Sequence, residues 1–112
     1  MTMVRSPITK AVLQEAAGLL YGELIKVVVD VDREIMAIGG ELHADEEQVL
    51  LEDGSRQQDL WGINVYPART DDEWIEFDSM INLRPSQGNR SRGVDDPAIR
   101  ERIVLIVNKL VV

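Results

Sequence analysis

The sequence predicts an α+β fold: a four-stranded, mainly antiparallel sheet from two hairpins, with three helices packed mostly on one face, in the order α-β-β-α-β-β-α. Three observations predict it. Two pairs of β-patterned runs each lie close enough in sequence to form a hairpin. Three other segments carry apolar residues at helical spacing between cap and stop residues, and no linker is long enough to divide the chain. At 112 residues the length prior gives one domain, residues 1–112, which can bury a core without disulfides or metal.

The first helix is expected to start after Thr9, whose hydroxyl can accept a backbone N–H that the first turn leaves unmet. Val12, Ala16, Leu19 and Leu20 follow at helical spacing, and Gly22 is a natural stop. Leu24 to Val31 is too β-branched for a helix and reads as a strand. Its odd positions, Ile25, Val27, Val29 and Val31, share one face, while Leu24, Lys26, Val28 and Asp30 share the other. A turn near Asp32 and Arg33 leads to the partner strand, Glu34 to Ile38, which Gly39 and Gly40 end.

Asp45 to Glu52 reads as a short helix, with Asp45 and Gln48 as a variant capping box. Leu60 to Tyr66 and Trp74 to Leu83 form the second strand pair, joined by a polar loop through Pro67, Asp71 and Asp72. Alternation puts Trp61, Ile63 and Val65 on a face with Ile75, Phe77 and Ile81. Asp96 followed by Pro97 opens the last helix, because proline at the first helical position gives up an N–H that would be unpaired anyway. Ile99, Ile103, Ile106, Val107 and Leu110 give it an apolar stripe, and Val104, Leu105, Val111 and Val112 widen it. The β-branched residues also leave a strand reading of the C-terminus open.

Charge and composition narrow the function classes. There is no cysteine, which removes disulfides, thiolate zinc sites and thiol nucleophiles and fits a reducing cytosol. Neither a signal peptide nor a membrane-length apolar run is visible, so the expected location is cytoplasmic and no membrane partner is expected. A net charge of -8 opposes the coating of nucleic acid. Acids cluster at Glu41 to Asp53 and at Asp71 to Asp78, and the first cluster reads as a solvated face.

Against this acidic background, the stretch after Leu83 holds Arg84, Arg90 and Arg92 and no acid. Guanidinium forks match carboxylate or phosphate oxygens two bonds at a time. Ser86, Gln87, Asn89 and Ser91 add neutral donors, and Gly88 lets the backbone turn its N–H groups toward an anion. The segment matches no nucleotide-binding fingerprint. The same arginines can equally pair with Glu76, Asp78 or the Asp95-Asp96 pair and form a structural corner.

A second candidate is the polar row on the far face of the second hairpin. Period-two spacing aligns Glu76, Asp78 and Asn82, with Asn64 across the pair. Left uncovered, this row could hold a divalent ion beside the arginines, although polar outer sheet faces are mostly only solvated. His43, the sole histidine, follows two glycines and can serve as a general base near neutrality or as a local cap. Trp61 reads as core, and Tyr66 and Trp74 as a stacking platform or a cross-strand pair.

Three readings of function follow. The first is a module binding an anionic small molecule through Asn64, Asn82 and the Arg84 to Arg92 loop, with no cofactor implied. The second is a small metal-assisted hydrolase or phosphoryl-transfer enzyme using His43, Glu76 and Asp78. The third is a homodimeric interaction protein that covers its C-terminal helix with a second copy.

The segments IMAIGGELHADEE, DLWGINVYP, FDSMINLRPSQGNRSRGV and IRERIVLIVNKL resemble an uncharacterised family of short prokaryotic proteins, a domain of unknown function. They span most of the chain. The resemblance implies membership over the full length and brings no activity, cofactor or catalytic residue with it.

Overall fold

The computed structural model describes residues 1–70 and 72–112, and the expected loop residue Asp71 lies outside them. Five strands form one antiparallel sheet: β1 Thr2–Val4, β2 Ile25–Asp30, β3 Ile35–Ile38, β4 Leu60–Val65 and β5 Ile75–Glu76, in spatial order β1-β3-β2-β4-β5. Both expected hairpins are present, and β2 and β4 join them side by side, with Val27 opposite Ile63. The sheet has five strands rather than four. The extra one, β1, pairs Thr2 with Ile38 and Val4 with Met36.

Three helices, α1 Lys10–Gly18, α2 His43–Glu52 and α3 Pro97–Leu110, cover both faces of the sheet. On one face Leu13 and Ala17 of α1 and Ile103, Ile106, Val107 and Leu110 of α3 pack with Ile25, Val27, Val29, Trp61, Ile63 and Val65. On the other, Leu50 of α2 packs with Val28, Ile35, Ala37 and Leu60. The odd and even positions of β2 therefore divide between two cores, as period two requires. Backbone bonds join the start of α1 to the end of α3: Ile8 N–H donates to the Leu110 carbonyl at 2.8 Å, and Val112 N–H to the Ile8 carbonyl at 2.8 Å. The β-branched C-terminus thus ends α3 and adds a parallel bridge between Ile8 and Val111.

Caps account for two of the helix starts. Thr9 Oγ1 accepts the Val12 N–H at 3.2 Å, and Asp96 Oδ1 accepts the Ala98 N–H at 2.9 Å ahead of Pro97. The α2 start differs from expectation. The helix begins at His43 with Leu42 as a cap that offers no side-chain bond, and Gln48 bonds Glu52 instead of closing a capping box with Asp45. One turn later Glu46 is fully buried, with Oε2 accepting the Gly40 N–H at 3.0 Å.

The expected strand from Trp74 to Leu83 is cut short. Only Ile75 and Glu76 pair with β4; Met80–Asn82 then form a 3-10 turn that Ser79 Oγ caps by accepting the Ile81 N–H. As a result Phe77 packs with Ile75 on the α1 and α3 face, as expected, whereas Ile81 packs on the α2 face. The cause is a bond pattern foreign to a strand: Ser79 N–H donates to the Arg92 carbonyl at 2.9 Å, drawing the chain toward the loop before α3.

Candidate functional site

The early end of β5 and the seating of α2 open a cleft of about 460 Å³ on the α2 face. Its polar lining comes from separate elements: Lys26 of β2, His43 of α2, Asn64 of β4, Asp78 and Ser79 after β5, and Arg92 before α3. The sheet register orders part of this set, because Lys26 faces Asn64 and Asn64 faces Glu76 on neighbouring strands. Leu24, Leu42, Met80 and Ile81 supply apolar walls. Tyr21 stands at the margin, donating its hydroxyl to the Glu41 carbonyl, with the Lys26 ammonium 5.3 Å from its ring centre.

His43 is buried and its Nε2 lies 2.7 Å from the Ile63 carbonyl oxygen. A carbonyl only accepts, so the neutral ring carries its proton on Nε2 and keeps Nδ1 as an acceptor. Burial pulls the His43 pKa below its ordinary value, the Ile63 bond opposes this, and Lys26 lowers it further. Near neutrality the ring is therefore uncharged.

Asn64 is also buried. Its Nδ2 donates to Glu76 Oε1 at 2.9 Å, which fixes the orientation of the amide, and its Oδ1 meets no donor among the described residues. Glu76 also accepts from the Tyr66 hydroxyl at 3.4 Å. The Arg92 Nε donates to Asp78 Oδ1 at 2.8 Å, with both side chains about half exposed. Lys26 has no salt-bridge partner among the described residues. The cleft therefore sets two cations against the single carboxylate of Asp78 and favours a bound anion.

Ser79 is positioned by a close backbone approach. A Cβ on Gly62 would fall 2.6 Å from both Cβ and Oγ of Ser79 and 3.2 Å from Cδ2 of His43. Ser79 and His43 thus meet over a glycine whose missing side chain gives them room.

Four of the residues expected to form a site, His43, Asn64, Asp78 and Arg92, share this cleft. The rest of the arginine loop is distributed otherwise. Arg84 is half-buried: its Nε donates to the Ile81 carbonyl at 2.9 Å and its Nη1 to the Gln57 carbonyl at 2.8 Å, Nη2 reaches the Leu60 carbonyl, and the guanidinium lies 4.6 Å from the Trp61 ring centre. Desolvation lowers its pKa, an effect opposed by Glu47. Gln87 accepts from Arg84 Nη1 at 3.5 Å through Oε1 and gives its Nε2 to the Gln58 carbonyl at 2.8 Å. Asn89 is buried and donates to the carbonyls of Asn82, Ser91 and Gly93. Asn82 is fully buried against Gly62.

Arg90 and Ser86 are exposed, outside the cleft. The Ser91 hydroxyl and the Arg90 N–H both donate to Asp95 and, in that order, hold its carboxyl below the usual range. The loop is thus knit to itself and to Asp95, and only Arg92 carries its charge to the cleft. The Glu76, Asp78 and Asn82 row does not form as a line, since Asn82 turns inward after β5 ends. No three acidic or histidine side chains come together as a metal-ligand set among the described residues. Trp61 lies in the core. Tyr66 and Trp74 each carry a cation near the ring, Arg69 at 3.8 Å and Lys10 at 4.9 Å from the ring centres. Sequence reasoning did not count Lys26 or Ser79 among the site residues; the period of β2 put Lys26 on the face opposite Ile25, Val27 and Val29, and the pairing of β2 with β4 brings it beside Asn64.

Sheet, helices and cleft define a small α+β protein in which an antiparallel sheet is covered on both faces and a polar pocket opens where its edge strand stops. The chain belongs to the DUF5674 family, described as proteins of unknown function, whose model matches residues 2–110. No curated protein and no solved structure matches it. No helix among the described residues is long and apolar enough to cross a membrane.

Proposed function

We propose that this protein binds a small anionic molecule, carrying a carboxylate or phosphate, in the cleft between α2 and the end of β5. The observation that carries the reading is the convergence of Lys26 and Arg92 on a partly apolar pocket in a protein of net charge -8. Arg92 is already oriented by Asp78 through Nε, which leaves its terminal nitrogens for an anion. Lys26 adds a point charge, and Leu24, Leu42 and Met80 suit an apolar portion of the ligand. Of the three arginines, Arg92 lines the cleft, while Arg84 is engaged by the Ile81 and Gln57 carbonyls.

The test is a thermal-shift and calorimetric screen of small carboxylates and phosphate monoesters on the wild type, repeated on Lys26→Ala and Arg92→Ala. A ligand at a hundredfold excess over its Kd stabilises the native state by about 2.7 kcal/mol. Binding that weakens in both variants supports the reading. Binding that persists unchanged in both, or no binding at all, removes it.

A second reading is a small hydrolase or phosphoryl-transfer enzyme. It is favoured by His43 sharing the cleft with Asp78, His43 being uncharged with Nδ1 free to take a proton. Turnover of ester or phosphomonoester substrates lost in His43→Asn supports it. A homodimer through α3 has less behind it, because Ile103, Ile106, Val107 and Leu110 face the sheet and leave chiefly Leu105 and Val112 outside.

A further inference from the structure

We infer that the cleft selects anions that also carry a hydroxyl group, so that its ligand class is small hydroxy acids or hydroxyalkyl phosphates. The inference rests on the anion-binding reading and adds to it what the uncharged part of the pocket asks for. Two polar groups of that part are acceptors held in a fixed sense. Asn64 is more than nine-tenths buried, its Nδ2 is committed to Glu76, and its Oδ1 has no donor among the described residues. An amide oxygen left unpaired inside a protein is destabilising, and a ligand that donates to it removes that cost. His43 adds the second acceptor, since the Ile63 carbonyl claims the Nε2 proton and leaves Nδ1 with a lone pair.

Neither group can reverse its role cheaply. Flipping the Asn64 amide would set its oxygen against the Glu76 carboxylate, and moving the histidine proton to Nδ1 would set a bare Nε2 against a carbonyl. Both groups are thus set to accept a hydrogen, which a ligand hydroxyl can supply. A hydroxyl suits better than an ammonium, because Lys26 and Arg92 line the same cleft and repel a second cation. The anionic end of the ligand meets Arg92 and Lys26, and its hydroxyl meets Asn64 and His43.

The experiment compares matched probes by calorimetry: lactate with propionate, and glycerol 3-phosphate with propyl phosphate. On the wild type the hydroxylated member of at least one pair is expected to bind about tenfold more tightly than its partner. In Asn64→Leu that ratio is expected to fall toward one. Arg92→Ala is expected to weaken both members of a pair together. Equal affinity of both members of each pair for the wild type overturns the inference and leaves the anion-binding reading standing. Binding of no probe removes both. The wild-type comparison decides the matter even if Asn64→Leu does not fold.

Discussion

Asn82 hydrogen-bonds both backbone groups of Gly62: its Oδ1 accepts the Gly62 N–H at 2.8 Å and its Nδ2 donates to the Gly62 carbonyl at 2.9 Å. A side-chain amide thereby does for β4 what Asp78, the residue that would face Gly62 in a continued β5, would have done. The backbone can leave the sheet after Glu76 without orphaning Gly62, and the departure makes the cleft. The same Nδ2 also donates to the Arg92 carbonyl at 2.9 Å, which ties the cleft-bearing loop to the sheet.

Asn82→Ala should accordingly be among the costliest substitutions in the chain. It leaves the buried Gly62 N–H and carbonyl without partners and takes one of two donors from the Arg92 carbonyl, for a loss of roughly 2 kcal/mol or more at about 1–3 kcal/mol per unpaired group. Asn82→Asp should do little better, because a carboxylate keeps the acceptor and loses the donor to two carbonyls. Urea midpoints at neutral pH check this. A loss under about 1 kcal/mol for Asn82→Ala would show that the amide does not stand in for the missing strand.

Gly62→Ala tests the packing above that bond. The new Cβ would overlap Ser79, which cannot retreat freely because its N–H is held by Arg92 and its Oγ by Ile81. Overpacking of this kind costs about 1–3 kcal/mol. Adding Ser79→Gly removes both of the closest atoms and should restore part of the loss. If the double variant is no more stable than Gly62→Ala, the crowding lies elsewhere.

Much of this architecture was legible in the sequence, and the failures have physical reasons. β-branched content in LIKVVVDV identified β2 and the spacing of Trp61, Ile63 and Val65 identified β4, and both faces of the two strands are buried or half-buried. β1 escaped because three residues between Met1 and Arg5 carry no period; its strand character comes from Ile38 and Met36 across the ladder. WIEFDSMINL alternates well past the point where pairing stops, since Ser79 and Asn82 are polar for reasons of turn and side-chain bonding. Arg84 and Arg92 look alike in RPSQGNRSR, and only burial distinguishes the one that props up Gln57 and Leu60 from the one in the cleft. The meeting of His43 with Asp78 depends on α2 packing on the second face, which no local pattern encodes.

Glu46 should make stability fall as pH rises. Burial is the main cause that pushes its pKa from 4.5 to about 9 in the folded protein, with the Gly40 N–H working against it. Between those values the folded chain holds a proton that the unfolded chain has lost. The contribution is therefore fully present below about 4.5 and is lost progressively up to the folded pKa. The slope attributable to this group approaches about 1.4 kcal/mol per pH unit. Glu46→Gln keeps an acceptor for the Gly40 N–H and removes the titration. It should be more stable than the wild type at pH 8, with the difference shrinking toward pH 5. Parallel stability curves for the two proteins from pH 5 to 8 would mean that Glu46 ionises normally.

Arg84 and Arg92 should separate stability from binding in opposite directions. The Arg84 fork serves the carbonyls of Ile81 in the turn after β5, Gln57 in the turn before β4 and Leu60 at the start of β4. A lysine presents one ammonium and cannot satisfy all three positions at once. Arg84→Lys should therefore cost about 1–2 kcal/mol and Arg84→Met about 2–3 kcal/mol, through carbonyls left unpaired. Arg92 is about half exposed and its bond to Asp78 is a surface ion pair, worth at most about 1 kcal/mol. Arg92→Ala should unfold within a few tenths of a kcal/mol to 1 kcal/mol of the wild type while losing affinity for a carboxylate or phosphate probe. Folded Arg84→Lys should keep that affinity. The reverse pattern, with affinity following Arg84 and stability following Arg92, would place the anion at the corner formed by Gln57, Gln87 and Arg84 instead of in the cleft beside His43.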